Sequence, residues 1–565
     1  MNSEILGVLV TLILMIVLSY PLGKYISKVF KGEKVWTDFL YPVENFIFKI
    51  SGIDPAKEMD WKENMKALLK LNVFFYIWAF VILLVQNKIP FWNPAGIGSM
   101  EPSLAFNTAV SFISNTNIQH YSGETGLSYF SQLLVVCYMQ FVSAATGIAA
   151  LALIFKGLSQ RKAKDLGNFY SLWLRSNTRI LLPLAIVVAV ILLLNGTPAT
   201  FKGPQTIKTL QGDTVTVALG PAAPVVAIKQ IGTNGGGFFG PNSAHPFENP
   251  NYITNIVECW GILAIPMALV FAFGFYLNKK RLGIMIFAVM AIVYLSFTAL
   301  AVKFEVDGNP LIKKMGIEQT TGSMEGKEVR FGPAASAFWA SSTTVTSNGS
   351  SNSNHDSQTP LAGGIYIMNM MINSIFGGVG VGFINFFMFL IIAVFIAGLM
   401  VGRTPEFLGK KIEAKEVKIA ALIILLHPFL ILVSTAISSY IASHNPNIGW
   451  LTNPSYHGFS EMLYEFTSAS ANNGSEFTGL NANVPFWNIM DGVIMLIGRF
   501  LPIIGPIAIA GSLAEKKYIP ESEGTLRLDS YAFGIVLLAV IIVISALSFF
   551  PALAVGPIAE HFSIL

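Results

Sequence analysis

The sequence predicts an all-α integral membrane protein. It should have ten membrane-spanning helices arranged as four span–pore–span repeats about a pseudo-fourfold axis, with one flanking helix at each end. Three observations lead there. Of 565 residues, 53% are hydrophobic and only 12% charged, with a mean hydropathy of +0.60, whereas a soluble domain carries about 25% charged residues. Apolar runs of bilayer-crossing length recur ten times along the chain. A short apolar segment followed by a polar Gly/Asn/Ser/Thr stretch recurs four times at similar spacing.

The ten runs are residues 4–23, 69–87, 127–153, 180–195, 252–277, 282–302, 363–401, 417–443, 487–512 and 530–552. Ahead of the first stand Asn2, Ser3 and Glu4, with no basic flank and no A-x-A site beyond it. It therefore reads as a retained helix rather than a removable signal. The 180–195 run is short unless it extends backwards past Arg179. The 363–401 run is too long for one straight span and holds Gly377, Gly378, Gly380 and Gly382. A helix broken in mid-membrane is expected, its break facing protein or water because lipid does not tolerate irregular backbone.

Loops 24–68, 156–179, 278–281, 403–416 and 513–529 and their flanks carry 26 of the 36 lysines and arginines. That side should be cytoplasmic, which places both termini outside the cytoplasm. The net charge of +4 is too small to suggest a nucleic-acid partner. Cys137 and Cys259 lie inside apolar runs and read as packing residues, and the seven histidines lack metal-binding spacing.

Four external loops share a plan. Ser103–Ile113 precedes Ser114 to Tyr121, and Pro221–Ile231 precedes Gly232 to Phe239. Gly332–Ser342 precedes Thr343 to Ser350, and Ser460–Ala471 precedes Asn472 to Phe477. Each leading segment is 11 or 12 residues, about 17 Å as a helix, which suits a re-entrant half-helix and not a span. Aligned on Thr116-Asn117, Thr233-Asn234, Ser347-Asn348 and Asn472-Asn473, the loops recur at intervals of 117, 114 and 125 residues. The expected units are a first helix with a cytoplasmic amphipathic segment (1–68), repeats at 69–155, 156–277, 278–402 and 403–512, and a last helix with an external C-terminus (513–565).

Polar loops at membrane depth have backbone groups that no helix satisfies. Four of them converging on one axis would form rings of carbonyl oxygen that replace the water shell of a cation, as in potassium-selective filters. Glycine permits the unusual dihedrals this needs. Thr116, Thr233 and Thr346 could add hydroxyl oxygens, and the half-helix C-termini, which are negative, would favour a cation. Ordinary exposed turn-rich loops are the alternative reading for any one of them.

At these residues the sequence resembles the KdpA family, the potassium-binding subunits of the bacterial Kdp ATP-driven potassium pumps. The matches are Asn115-Thr116-Asn117-x-Gln119, Gly232-Thr233-Asn234-Gly235-Gly236-Gly237-Phe238-Phe239, Asn348-Gly349 with Asn354-His355-Asp356-Ser357, Ser470-Ala471-Asn472-Asn473-Gly474-Ser475, and Gly402-Arg403-Thr404-Pro405-Glu406. The resemblance covers most of the chain. It implies a K+ filter built from Asn115, Thr116, Asn117, Ile118, Gln119, Thr233, Asn234, Gly235, Gly236, Thr346, Ser347, Asn348, Gly349, Asn472, Asn473 and Gly474. Gln119, Gly235, Gly349 and Gly474 match the family's selectivity-determining positions. In this alignment Ile118 stands where the other loops have glycine, so an asymmetric ring is expected, with Gln119 supplying an amide oxygen nearby.

The break at Gly377, Gly378 and Gly380 resembles the family's gating loop. Arg499, inside the 487–512 run, matches an arginine near the inner pore and reads as a leak barrier or coupling residue, against snorkelling to a headgroup. The resemblance further implies bacterial cell-membrane localisation and an ATP-hydrolysing P-type partner that receives the ion through an intramembrane tunnel. A single-span accessory subunit and a small one-helix peptide would complete the complex. A stand-alone channel or gradient-driven transporter of the same superfamily is the alternative. The chain has no GxxxxGK[ST] and no Asp-Lys-Thr-Gly run, and its cytoplasmic loops are too short for a nucleotide domain. It is expected to be non-catalytic and to bind no nucleotide.

Other residues have two readings. Glu124, Asp356 and Glu476 could concentrate cations at the mouth or be solvated loop charges. Arg403 could meet an anionic lipid headgroup or simply follow the positive-inside rule. Asp491 lies either within its span or near an end. His120 and Tyr121 read as packing behind the first filter. The Lys-rich 24–70 segment also holds Phe30, Trp36, Phe39, Leu40, Phe46, Phe48, Trp61 and Leu68, so helices lying on the membrane or against a partner are expected. The β-branched stretch within 199–220 predicts a small hairpin.

Overall fold

A computed structural model of the chain describes residues 3–402, 404–520 and 527–565. Among the described residues ten helices are long and apolar enough to cross a membrane: Glu4–Lys31, Trp61–Lys88, Tyr129–Ser159, Phe169–Leu194, Tyr252–Tyr276, Lys280–Lys314, Val381–Met400, Ala414–His444, Pro485–Glu515 and Tyr531–Ile564. The third and fifth are buried along most of their length, while the first and eighth stay largely exposed. Inner spans therefore line the centre and outer spans meet lipid. Phe155, Phe273 and Phe383 join three inner spans, with ring centroids 5.1 to 5.8 Å apart.

The fourth span runs back past Arg179 to Phe169 because that charge is neutralised. Arg179 Nη2 lies 2.6 Å from Glu44 Oε2, and its Nη1 lies 2.5 Å from Asp38 Oδ1. Both acids come from the basic N-terminal segment, which forms a turn at Trp36–Leu40 and a helix at Tyr41–Ser51. Burial alone would raise the Glu44 carboxyl, but hydrogen bonds from Arg179 and Thr178 outweigh it and hold the group below its ordinary value. Trp36, Phe39 and Phe46 point outward and are exposed, whereas Phe30, Phe48 and Leu68 are buried.

Four shorter helices enter from one face: Pro102–Ile113, Ala222–Ile231, Gly332–Val345 and Ser455–Ala471. The third continues three residues past its expected end. Its threonines turn back onto the helix instead of leaving it, with Thr344 Oγ1 donating to Ala340 O at 2.7 Å and Thr346 Oγ1 to Ser342 O at 2.7 Å. The fourth begins at Ser455, five residues earlier than expected, and His457 in its first turn pairs with Asp356 and Glu560. Both chain ends lie at this face: Glu4 Oε2 accepts from Ala334 N at the start of the third short helix, and Glu560 reaches His457.

The long seventh run is broken. Pro360–Ile372 and Val381–Met400 are separate helices, joined by residues 373–380. Gln205–Lys208 and Thr214–Val217 form the small antiparallel hairpin expected between the fourth span and the second short helix.

Candidate functional site

The C-terminus of each short helix delivers a loop in which two residues, separated by a single residue, adopt left-handed backbone. The pairs are Asn115 and Asn117 (φ +66° and +61°), Thr233 and Gly235 (+45° and +83°), Ser347 and Gly349 (+48° and +89°), and Asn472 and Gly474 (+54° and +100°). For a side-chain-bearing residue this region costs about 1–2 kcal/mol, and for β-branched Thr233 it is a strained conformation. The residue between each pair is held alike. The backbone N–H groups of Thr116, Asn234, Asn348 and Asn473 donate to the carbonyls of Ser111, Lys229, Thr343 and Ser468 at 2.9–3.0 Å.

This common geometry corrects the sequence alignment by one residue in the first loop. Thr116, not Asn117, corresponds to Asn234, Asn348 and Asn473, and Asn117 takes the glycine position. Ile118 is not the departure from symmetry. Its side chain is buried in an apolar cluster with Val110, Phe466 and Trp487.

The loops close into a ring. A Cβ added to Gly235 would collide with Asn348 O, one on Gly349 with Asn473 O, and one on Gly474 with Thr116 O. The fourth seam joins the first loop to the second: Asn115 Nδ2 donates to Thr233 O at 2.9 Å. Gln119 clamps the same seam, its Oε1 accepting from Gly237 N at 2.8 Å and its Nε2 donating to Gly237 O at 3.2 Å. The expectation that Gln119 offers its amide oxygen to an ion is thus corrected, because that oxygen is engaged by backbone. Thr346 likewise spends its hydroxyl on Ser342 O. Asn117 is different: it is buried, and neither amide atom has a hydrogen-bond partner among the described residues.

Thr116, Asn234, Asn348 and Asn473 are all fully buried, and among the described residues their carbonyl oxygens accept no hydrogen bond. Buried carbonyls are almost always satisfied. Four equivalent orphans on one ring, at the negative ends of four short helices, are the chemistry of a cation site. Two buried side chains, Gln140 and Glu248, and half-buried Asn242 hold the ring from behind. Gln140 Nε2 donates to Gly236 O at 2.8 Å, Asn242 Nδ2 to Gly235 O at 2.7 Å, and Glu248 Oε1 accepts from the N–H groups of Phe238 and Phe239. Glu248 is itself paired with buried Lys229. An ionisable residue within an apolar pore segment was the signal for this pair.

The broken seventh run lies against the ring's inner side. Val379 N donates to Thr233 Oγ1 at 2.9 Å, and Ser347 Oγ to Asn373 Oδ1 at 2.9 Å. A Cβ on Gly378 would stand 3.3 Å from Thr346 O, and one on Gly380 would collide with Gly147 O; Gly377 packs on Gly382. Arg499 adjoins the same place. It is 3% exposed, donates to Ser143 O at 3.3 Å, and has no carboxylate in ion-pair range among the described residues. Arg403 lies outside the described residues.

The acids near the mouth are not free loop charges. Glu124 accepts from Gly240 N at 2.8 Å, and burial pushes its carboxyl above the ordinary value. Asp356 pairs with His457, and Glu476 accepts from Gln119 N at 3.3 Å. Asp491 is fully buried within its span, and His120 sits behind the first loop beside it.

A family model for the potassium-transporting ATPase A subunit matches residues 9–562. The potassium-transporting ATPase potassium-binding subunit of Flavobacterium johnsoniae is 58% identical over 574 residues, covering 100% of both chains. Those of Phocaeicola vulgatus and Alicyclobacillus acidocaldarius are 55% and 49% identical, covering 100% and 99% of both chains. Among solved structures, the potassium transporter TrkH from Vibrio parahaemolyticus matches with a TM-score of 0.53 at 14% identity, covering 89% of this chain and 98% of that one. At that identity the likeness speaks for the fold. The chain belongs to the potassium-transporting ATPase A subunit (KdpA) family.

Proposed function

We propose that this chain is the potassium-binding and selectivity subunit of an ATP-driven K+ uptake complex of the bacterial cell membrane. The observation that carries the reading is the set of four buried, unpartnered carbonyls of Thr116, Asn234, Asn348 and Asn473 on one closed ring. K+ enters from the face bearing both termini, which is extracytoplasmic by the distribution of basic loops. It sheds water against this ring, with Asn117 adding a side-chain oxygen in the first quarter. The remaining ring residues, Asn115, Thr233, Gly235, Gly236, Ser347, Gly349, Asn472 and Gly474, set the backbone path, and Gln119 sets the spacing of one seam.

The break at Gly377, Gly378 and Gly380 gates the inner side, and Arg499 opposes leak of the cation straight through. The ion then passes sideways to an ATP-hydrolysing P-type partner. A cavity of about 50 Å³ beside the break, lined by Asn373, Asn385, His427, Ser470 and Ser545 among apolar residues, supports a lateral route. A single-span accessory subunit and a small one-helix peptide complete the assembly, and Arg403 contacts anionic lipid.

Rubidium uptake into liposomes tests the reading. Uptake should need ATP and the partner chain, and Arg499→Met should weaken the coupling of uptake to ATP while leaving ion preference intact. ATP-independent conduction by the chain alone would instead favour a stand-alone transporter.

A further inference from the structure

Behind the seam between the first and fourth loops lies a group of side chains that the ion path does not use. His120 Nε2 faces Glu465 Oε1 at 3.3 Å and Asp491 Oδ2 at 3.9 Å, all three side chains fully buried. Glu476, half-buried at the mouth, brings a carboxylate oxygen within 4.8 Å of the His120 and Glu465 ligand atoms. Among the described residues, no lysine or arginine pairs with any of these acids. Both oxygens of Asp491 and Oε2 of Glu465 are buried without a hydrogen-bond partner.

The imidazole is oriented from outside. Asn488 Nδ2 donates to Ser103 Oγ at 3.1 Å, so its Oδ1 faces His120 Nδ1 at 2.7 Å and accepts a hydrogen bond from that nitrogen's N–H. Nε2 faces Glu465 and Asp491, with Glu476 close by. Even as an imidazolium, His120 brings one positive charge and one free N–H against three carboxylates, which leaves acceptors unmatched and negative charge uncompensated at a cost of several kcal/mol per uncompensated ion. Further positive charge belongs between them.

The other histidine–carboxylate group on this face differs in degree. His457 has each ring nitrogen matched to one carboxylate, Asp356 at 2.9 Å and Glu560 at 2.8 Å, and its third acid, Glu461, has one oxygen held by Asn453 and the other without a partner among the described residues. In the His120 group only one ring nitrogen faces the acids, and both Asp491 oxygens and one of Glu465 have no partner among the described residues.

We propose that His120, Glu465, Glu476 and Asp491 form a site for a divalent transition-metal ion such as zinc, which staples the first and fourth quarters of the ring. One imidazole nitrogen and three carboxylate oxygens are a donor set that zinc accepts. Zinc–ligand bonds of about 2.0–2.2 Å in a tetrahedron place the ligand atoms about 3.4 Å apart, between the two distances given for His120. The Nδ1 contact with Asn488 is the outer-sphere bond that fixes a ligating histidine's tautomer. Half-exposed Glu476 gives access from the mouth, and binding releases whatever protons the group holds. Because Glu476 also accepts from Gln119 N, occupancy is coupled to the clamped seam of the ring.

The test uses the purified complex in detergent, stripped with chelator, equilibrated with zinc and desalted. Wild type should retain one zinc equivalent more than Glu465→Gln and Asp491→Asn, measured by elemental analysis. Cobalt in place of zinc should give visible bands of a four-coordinate site in wild type, a readout that needs no variant to fold. Zinc should also shift apparent K+ affinity by about fivefold in wild type and not in the variants. Equal zinc in all three proteins, or no zinc and no cobalt bands in wild type, overturns the proposal. If K+ affinity then changes between about pH 6 and 8, the group holds protons instead.

Discussion

Where the second loop meets the third, Gly235 lies directly against the carbonyl of Asn348. The third and fourth meet in the same way, as do the fourth and first. Where the first loop meets the second, Asn117 occupies the glycine position and Gln119 bridges to both the N–H and the C=O of Gly237. Three seams press a glycine against the next loop's carbonyl, with an asparagine amide bond beside each, and one lacks that glycine and is held by side-chain amides alone. A real Cβ stands on Asn117, so this seam cannot close as tightly as the others. The difference teaches that ring diameter is set by two devices of unequal stiffness: the glycine seams fix it by hard contact, and the amide seam by hydrogen bonds worth about 1 kcal/mol each.

The largest effect is expected at a glycine seam. Gly349→Ala adds a methyl where Asn473 O already stands, at a φ of +89°. Apparent K+ affinity, read from K+-stimulated ATP hydrolysis by the complex, should fall by about 100-fold or more, since 1.4 kcal/mol is tenfold. Gly52→Ala is the control. Gly52 shares a left-handed φ of +64° but has nothing within 4 Å, so only a stability loss of about 1 kcal/mol is expected, with affinity kept. Equal affinities for Gly349→Ala and wild type would remove the hard-contact account.

At the amide seam, Gln119→Ala removes the two hydrogen bonds to Gly237, with a third to Tyr121 Oη, and leaves both Gly237 groups unmatched. A loss of about 10- to 30-fold in K+ affinity should follow, together with weaker discrimination against rubidium. Retained discrimination would mean that the seam keeps its width without the clamp.

Much of this was legible beforehand, and the failures have physical reasons. The ten spans stand out because lipid demands long apolar runs, and the four half-helices because their polar loops interrupt those runs in the same order each time. The fourth span's start was hidden by Arg179, whose neutralising acids lie 135 and 141 residues away in sequence. The slip in the first loop arose because Thr116-Asn117 looks like Thr233-Asn234 by residue type. Backbone hydrogen bonds to Ser111 and Lys229 show which residues truly correspond. Glycine was the visible marker of left-handed backbone, and asparagine, which tolerates the same region, carried it unseen at Asn117. The role of Gln119 was misread for a related reason: an amide beside a filter can serve the ion or the neighbouring loop, and composition does not distinguish the two.

The smallest effect comes from making the fourth seam like the other three. Asn117→Gly removes the Cβ that holds the seam open, and with it an amide whose two polar atoms have no protein partner among the described residues. Relief of left-handed strain stabilises the fold, but the greater freedom of glycine in the unfolded chain opposes this, so melting temperature should hardly move. The ion loses one side-chain oxygen while keeping its four backbone carbonyls. A single ion–dipole contact set against recovered hydration corresponds to a loss of about threefold to fivefold in K+ affinity. With Gln119 still clamping the seam, rubidium discrimination should stay near wild type, which separates this variant from Gln119→Ala. A loss as large as that of Gly349→Ala would mean that Asn117 holds the loop itself, and the distinction between hard and soft seams would fail. No change at all would show that the orphan amide serves water rather than the ion, leaving the four carbonyls as the whole of the ligand set.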